Sequence, residues 1–217
     1  MNRVLFVRHG ETTWNRESRI QGWASTPLTG RGRDQARATG RLLRAAGVDR
    51  VVASDLQRAR ETARLLREGP QRSARYGEGG DAGRARGRGD EGGPGNEGPR
   101  GGGADAVGAD AAGLDAPLSF DRAWRERDLG EFQGLDRSAV VCQRVTAGWE
   151  SLRSAVDRET VAVVTHGGPL RAAVAAVTGL DVPTLAREWS PSNCGVTEVD
   201  VSGTPEVVRR DDTSHLE

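Results

Sequence analysis

Lysine is absent from this chain: all 31 basic residues are arginine, balanced by 31 acidic ones. With a formal net charge of +0, nothing global draws the chain to nucleic acid or to a membrane, so any anion binding must be local. Cysteine is scarce too. Cys142 and Cys194 lie too far apart in sequence for a compact metal motif, and their number fits a reducing compartment, with a disulfide neither required nor excluded. No apolar run approaches the length that crosses a bilayer, and Met1 is followed within a few residues by strand-forming sequence, leaving no room for a signal peptide. The expected protein is cytoplasmic and soluble, with no membrane and no nucleic acid as partner. At 217 residues it is long enough for one sizeable domain, 1–217.

What is present begins with Val4 to Val7, a short apolar run that stops at Arg8, His9 and Gly10. A buried parallel strand would thus deliver a guanidinium and an imidazole to its carboxyl end, where ligands bind in open α/β sheets. Arg8 can fork onto two oxygens of a phosphate or carboxylate, and His9 is close to neutral at physiological pH. Polar sequence from Arg16 to Leu28, broken by Gly22 and Pro27, reads as a loop over the site. Thr29 is placed to cap a helix over Arg31 to Ala46 that stops at Gly47. A second strand, Val51 to Ala53, ends in Ser54 and Asp55, and helical spacing runs from Leu56 to Glu68 with Arg58 in its first turn. Strand, helix, strand, helix is the pattern of a parallel sheet with right-handed crossovers.

From Gly69 to about Ala116 the composition changes. This stretch holds 16 of the 30 glycines, and from Gly69 to Gly113 its only large apolar side chains are Tyr76 and Val107. It cannot bury enough surface to offset the entropy of ordering it, and is expected to be a disordered Gly/Arg-rich insertion within the domain. Its acidic residues and lack of interleaved aromatics disfavour RNA binding. Order is expected to resume at Leu118, followed by the carboxylate-rich loop Trp124 to Gly134 and a helix from Ser138 to Val156 that Gly148 weakens. TVAVV at Thr160 to Val164 is the cleanest strand and ends in Thr165, His166, Gly167 and Gly168, with Pro169 in the first turn of a helix running from Leu170 to about Thr178. Val196 to Val201 and Val207 to Arg209 read as closing strands.

Two of the three histidines therefore end an apolar strand and precede glycine; the third, His215, lies in a polar tail and carries no assignment. RHGETTWN at Arg8 to Asn15, QG at Gln21 and Gly22, PLTGRG at Pro27 to Gly32, SDLQRARETA at Ser54 to Ala63, ERDLGEFQG at Glu126 to Gly134 and THGG at Thr165 to Gly168 stand in the order found in the histidine phosphatase superfamily, also called phosphoglycerate mutase-like, which the chain resembles. The resemblance implies an α/β fold: a three-layer α/β/α sandwich around a mostly parallel sheet. It implies His9 as the nucleophile that carries a phosphohistidine, Arg8, Arg58 and His166 around the phosphoryl oxygens, and Glu126 as general acid, with Asp128 and Glu131 as rivals that chemistry alone does not separate. Asn15, Gln21 and Gly22 would add contacts to the phosphate, as would Gly167 and Asn193, although Asn193 could equally be a turn residue. Glu11 reads as structural. No cofactor and no metal are called for, and the expected partner is a small phosphorylated metabolite; oligomeric state is silent.

Two departures from the family pattern stand out: the insertion, and a shortened stretch from Leu135 to Glu159, which trims the elements that commonly shape the substrate pocket. The leading expectation is a phosphatase acting on phosphomonoesters. A mutase that returns the phosphoryl group to a product, and a catalytically inactive phosphate- or metabolite-binding protein, are the alternatives.

Overall fold

A computed structural model describes residues 2–68, 113–128 and 137–217. The first strand, β1 (Arg3–Arg8), is followed by a one-turn helix α1 (Thr13–Arg16), helix α2 (Gly30–Ala45), strand β2 (Arg50–Ala53) and helix α3 (Gln57–Leu66). Strand β3 (Leu118–Phe120), helix α4 (Arg137–Ala155), strand β4 (Thr160–Thr165), helices α5 (Gly167–Thr178) and α6 (Val182–Glu188) and strands β5 (Val196–Asp200) and β6 (Glu206–Asp212) complete the order. Short 3-10 turns at Arg122–Trp124 and Ser214–Leu216 flank this second half.

The six strands form one sheet in the order β3-β2-β4-β1-β5-β6. β1, β2, β3 and β4 are mutually parallel, whereas β5 runs antiparallel to β1 and β6 antiparallel to β5. This is the mostly parallel α/β sandwich expected. Side chains alternate across a strand, and both faces are covered here. Val4, Phe6, Val161 and Val163 point into one core with Trp149 and Leu152 of α4, Leu170 of α5 and Leu185 of α6. Leu5, Val7, Ala162 and Val164 point into the other, against Leu43 of α2 and Ala59, Ala63 and Leu66 of α3. Phe6 packs obliquely on both Trp124 and Trp149, with ring centroids 5.6 and 5.8 Å away, and such pairs contribute about 0.5–1.5 kcal/mol each beyond simple burial.

Helix ends follow the local chemistry. The Thr29 hydroxyl accepts from the Gly32 amide, as an N-cap does, and Gly148 lets α4 cross the Arg122–Trp124 turn where a Cβ would come within 2.7 Å of the Ala123 Cβ. α6 was not anticipated from composition: it has only seven residues, and its cap, Asp181 accepting from Thr184, is its clearest local signal. The insertion expected over 69–116 falls mostly outside the described residues, but its last residues do not belong to it. Leu114 and Ala116 are buried in the core beside β2, because Val51 donates to the Pro117 carbonyl and draws the chain onto the sheet. No helix among the described residues is long and apolar enough to cross a membrane.

Candidate active site

The register of the central pair determines what meets at the strand ends. Arg8 lies opposite Thr165 in the parallel β1/β4 ladder, so His9 and His166 leave the sheet side by side. Their ring centroids are 5.2 Å apart at 57°, and both rings are buried. Imidazoles 157 positions apart in sequence are thereby neighbours because of one strand pairing.

His9 Nδ1 lies 2.8 Å from the Gly10 carbonyl oxygen. A carbonyl only accepts, so Nδ1 carries the proton and Nε2 presents its lone pair. That lone pair receives the Nε–H of Arg58 at 3.2 Å. Arg58, in the first turn of α3 and buried, is further fixed by donation to the Gly22 carbonyl at 2.8 Å and the Ala24 carbonyl at 3.2 Å. Thr62, one turn along α3, donates to the Arg58 carbonyl and accepts from the Gly10 amide at 3.0 Å, tying helix to histidine loop. Arg8 donates to the Pro191 carbonyl. His166 Nε2 pairs with the Ser54 hydroxyl at 2.8 Å, while its buried Nδ1 has no hydrogen-bond partner among the described residues.

A cavity of about 180 Å³ opens here, lined by Arg8, His9, Asn15, Gln21, Gly22, Arg58, Glu126 and Gly167, with Arg127 and Arg171 also on its walls. Of the three candidate carboxylates, Glu126 faces it, Asp128 is not on its wall, and Glu131 lies outside the described residues. The Glu126 carboxylate accepts from the amides of Arg127 at 2.9 Å and Gly168 at 3.3 Å, at the start of α5. Its loop is held by Trp23, which donates to the Glu126 carbonyl at 2.8 Å, and by Arg144 of α4, which reaches the carbonyls of Ala123, Arg125 and Glu126. Arg125 grips Asp55 through two bonds of 2.5 Å.

Neither His166 nor Asn193 is on the cavity wall; the Asn193 side-chain amide donates to the His9 carbonyl at 2.9 Å and to Asn15 Oδ1 at 3.3 Å, so it holds the histidine backbone. Gln21 lines the cavity but spends its carbonyl on Thr12 and Thr26. Glu11 binds the Thr29 hydroxyl at 2.7 Å, a structural contact. Nothing in the sequence by itself assigns a role to Ser54, Trp23 or Arg144, whereas Thr62 stands one helical turn beyond Arg58.

Electrostatics keep both rings neutral. Burial, then Arg58, then Arg8 push His9 well below the usual histidine range, and burial with Arg58, His9 and Arg8 does the same to His166. Arg58 remains a cation although burial brings its pKa down to about 10. In the unfolded chain these histidines take up protons below about pH 6.5. Between that value and their lowered folded pKa values the unfolded state binds more protons, so stability is complete above about pH 6.5 and falls as the pH drops. Melting temperature is therefore expected to fall between pH 7.5 and 5.5, and to fall less with inorganic phosphate, which favours an imidazolium. A midpoint unchanged over that interval would contradict neutral, buried rings.

Gly168 supplies a second expectation. A Cβ there would lie 2.3 Å from Glu126 Oε1. Gly168→Ala must displace that carboxylate, and a misplacement of about 1 Å can cost on the order of 10²-fold in rate. The measurement is kcat at unchanged melting temperature, and a wild-type kcat would mean that Glu126 is not used where it stands.

The sequence profile of the histidine phosphatase superfamily (branch 1) matches residues 4–79 and 137–213, more than half of the chain. A probable phosphoglycerate mutase, GpmB, from Enterobacter sp. is 48% identical over 66 residues, 30% of this chain and 31% of that relative's length; its counterpart from Citrobacter koseri matches equally. Among solved structures, Bacillus stearothermophilus YhfR superposes with a TM-score of 0.72 at 25% identity over 100% of both chains. A mycobacterial glucosyl-3-phosphoglycerate phosphatase superposes at 0.66 and 22% identity over 98% of this chain and 100% of its own, a likeness of fold.

Proposed function

The chain belongs to the histidine phosphatase superfamily, and from that premise we propose that it hydrolyses a phosphomonoester of a small metabolite through a phosphohistidine on His9. The observation that carries this is the His9 tautomer: with Nδ1–H held by the Gly10 carbonyl, Nε2 is the unprotonated nitrogen, and its lone pair, which accepts from the Arg58 Nε–H, is released to phosphorus when that guanidinium turns to the phosphoryl oxygens. In this reading Arg8 and Arg58 seat the phosphoryl group from the cavity wall, the partnerless Nδ1 of buried His166 turns to the same oxygens, and phosphorus stands in line with His9 Nε2. The Nε2–P bond forms as the P–O ester bond breaks, and the ester electron pair leaves with the departing oxygen, which takes a proton from the Glu126 carboxylic acid. Glu126, now a carboxylate, takes a proton from water as water attacks phosphorus, and the P–N bond breaks to return His9 and release phosphate. The guanidinium groups meet charge that spreads over the phosphoryl oxygens in each transition state. Asn15, Gln21, Gly22 and Gly167 line the same cavity, and Asn193 supports it through the His9 backbone.

Arg127 and Arg171 add rim charge that this clamp does not use. A screen of phosphorylated metabolites is accordingly expected to favour leaving groups that bear a second negative charge.

A mutase reading is favoured by the 48% identity to GpmB. One experiment separates the two: acid-quenched trapping of the phosphoenzyme, followed by its lifetime with and without acceptor alcohols. Decay to inorganic phosphate at one rate in both cases supports the hydrolase, and decay that accelerates with transfer to the acceptor supports the mutase. A chain that neither labels nor turns over an aryl phosphate would overturn both and leave binding alone.

A further inference from the structure

Beside the cavity, the segment from Pro191 to Gly195 forms a turn that carries no chemistry of its own yet touches both Arg8, the last residue of β1, and His9, the residue after it. Its Pro191 carbonyl accepts from the Arg8 guanidinium, its Asn193 amide donates to the His9 carbonyl at 2.9 Å, and its Cys194 N–H donates to the Arg8 carbonyl at 2.9 Å. Cys194 is buried in the left-handed region at φ 58, a conformation that a residue with a Cβ holds only when its surroundings insist.

Those surroundings come from the end of β6 and the turn after it. Asp211 accepts from the Ser192 amide at 2.8 Å through one carboxylate oxygen and from the Ser192 hydroxyl at 2.9 Å through the other. Four residues on, His215 Nε2 lies 3.1 Å from the Cys194 carbonyl and 2.9 Å from the Thr39 hydroxyl. A carbonyl only accepts, so Nε2–H of His215 is the donor to Cys194; the Thr39 hydroxyl donates to the Gln35 carbonyl at 2.9 Å, with the Cys194 carbonyl farther off at 3.5 Å. Leu216 packs beside Leu28, Ala36, Leu65 and Cys194, seating the segment on α2 and α3.

We propose that Asp211 and His215 are positioning residues of the phosphoryl clamp, fastening the 191–195 turn so that it aims the Arg8 guanidinium and holds the His9 backbone. Arg8 is the sensitive point. Its Nε is buried with no partner among the described residues, so the bond to Pro191 bears much of the burden of its orientation. Arg8, Ser190 and Pro191 also form the wall shared by the catalytic cavity and a second groove that His215 lines, so the fastening acts across one thickness of chain. A loosened turn lets the guanidinium swing while leaving the sheet and both hydrophobic cores as they are.

The inference rests on the proposed phosphatase reading for turnover, but its test does not. Orthovanadate affinity, measured by calorimetry on the full chain, reports the clamp whether or not the protein catalyses. Asp211→Ala and His215→Ala are each expected to weaken vanadate at least tenfold and to lower kcat more than they raise KM, at melting temperatures that keep the protein folded at 25 °C. His215→Gln, whose amide can donate to the Cys194 carbonyl, is expected to recover most of the loss. Should Asp211→Ala impair folding, Ser192→Ala removes one of the same two bonds and is expected to weaken vanadate in the same direction. Vanadate affinity within twofold of wild type in folded His215→Ala and Ser192→Ala overturns the proposal, as does a loss in His215→Ala that His215→Gln fails to recover. Wild-type vanadate binding without turnover in the unaltered chain would instead overturn the phosphatase reading and leave this one to be judged on affinity alone.

Discussion

His9→Ala is expected to lower turnover of an aryl phosphate on the order of 10⁴-fold or more, the scale associated with removing a covalent nucleophile, and to abolish acid-quenched phosphoryl labelling. The expectation comes from geometry. Arg58, with its Nε–H on His9 Nε2, and Arg8 would still attract a phosphate, so binding should outlast chemistry. Orthovanadate affinity in the variant is therefore expected to fall far less than kcat. Because the substitution also removes an imidazole that must stay neutral to be buried, the variant should lose less stability than wild type between pH 7.5 and 5.5. Turnover that persists at the wild-type rate would assign the nucleophile elsewhere.

Arg58→Ala is expected to act on both activity and stability. The guanidinium makes three directed contacts, to Gly22, Ala24 and His9, from a buried position. Its removal strands the carbonyl of buried Gly22, at a cost on the order of 1–3 kcal/mol, and at a smaller cost that of half-buried Ala24; on the proposed mechanism it also deletes a donor set that meets charge in the transition state, a loss of about 10²–10³ in kcat. Arg58→Lys is expected to recover little, since an ammonium is a single point charge and cannot span acceptors arranged around a planar fork. A melting curve and a kcat for each variant check both halves. Activity within tenfold of wild type in Arg58→Ala would remove it from the phosphoryl clamp.

The parts of this architecture legible in the sequence are those set by short-range patterning. VLFV and TVAVV are continuous apolar runs because both faces of their strands are covered, and Thr29 announces α2 because a hydroxyl at that point satisfies an amide which the helix cannot. Less legible were features whose partners lie far along the chain. The fate of Asn193 depends on the carbonyl of His9 and that of His166 on the hydroxyl of Ser54. No local signal at position 215 announces a donor to Cys194, because a histidine in a polar tail looks the same whether or not it folds back onto α2. That Glu126 lines the cavity and Asp128 does not goes with the bonds by which the Trp23 and Arg144 side chains hold the loop.

The position of β1 in the middle of the sheet has a consequence for how the protein is made. Its two neighbours are β4 and β5, supplied by residues 160–165 and 196–200. In a nascent chain growing at about 5–20 residues per second, Val4 to Val7 emerge well ahead of residues 160–165 and 196–200, so neither edge of that strand is occupied until those segments follow. Until then the chain carries a short apolar strand with open backbone groups on both sides, the kind of surface that chaperones shield and that seeds aggregation. The two histidines that leave β1 and β4 are consequently brought side by side only after residues 160–166 have been made.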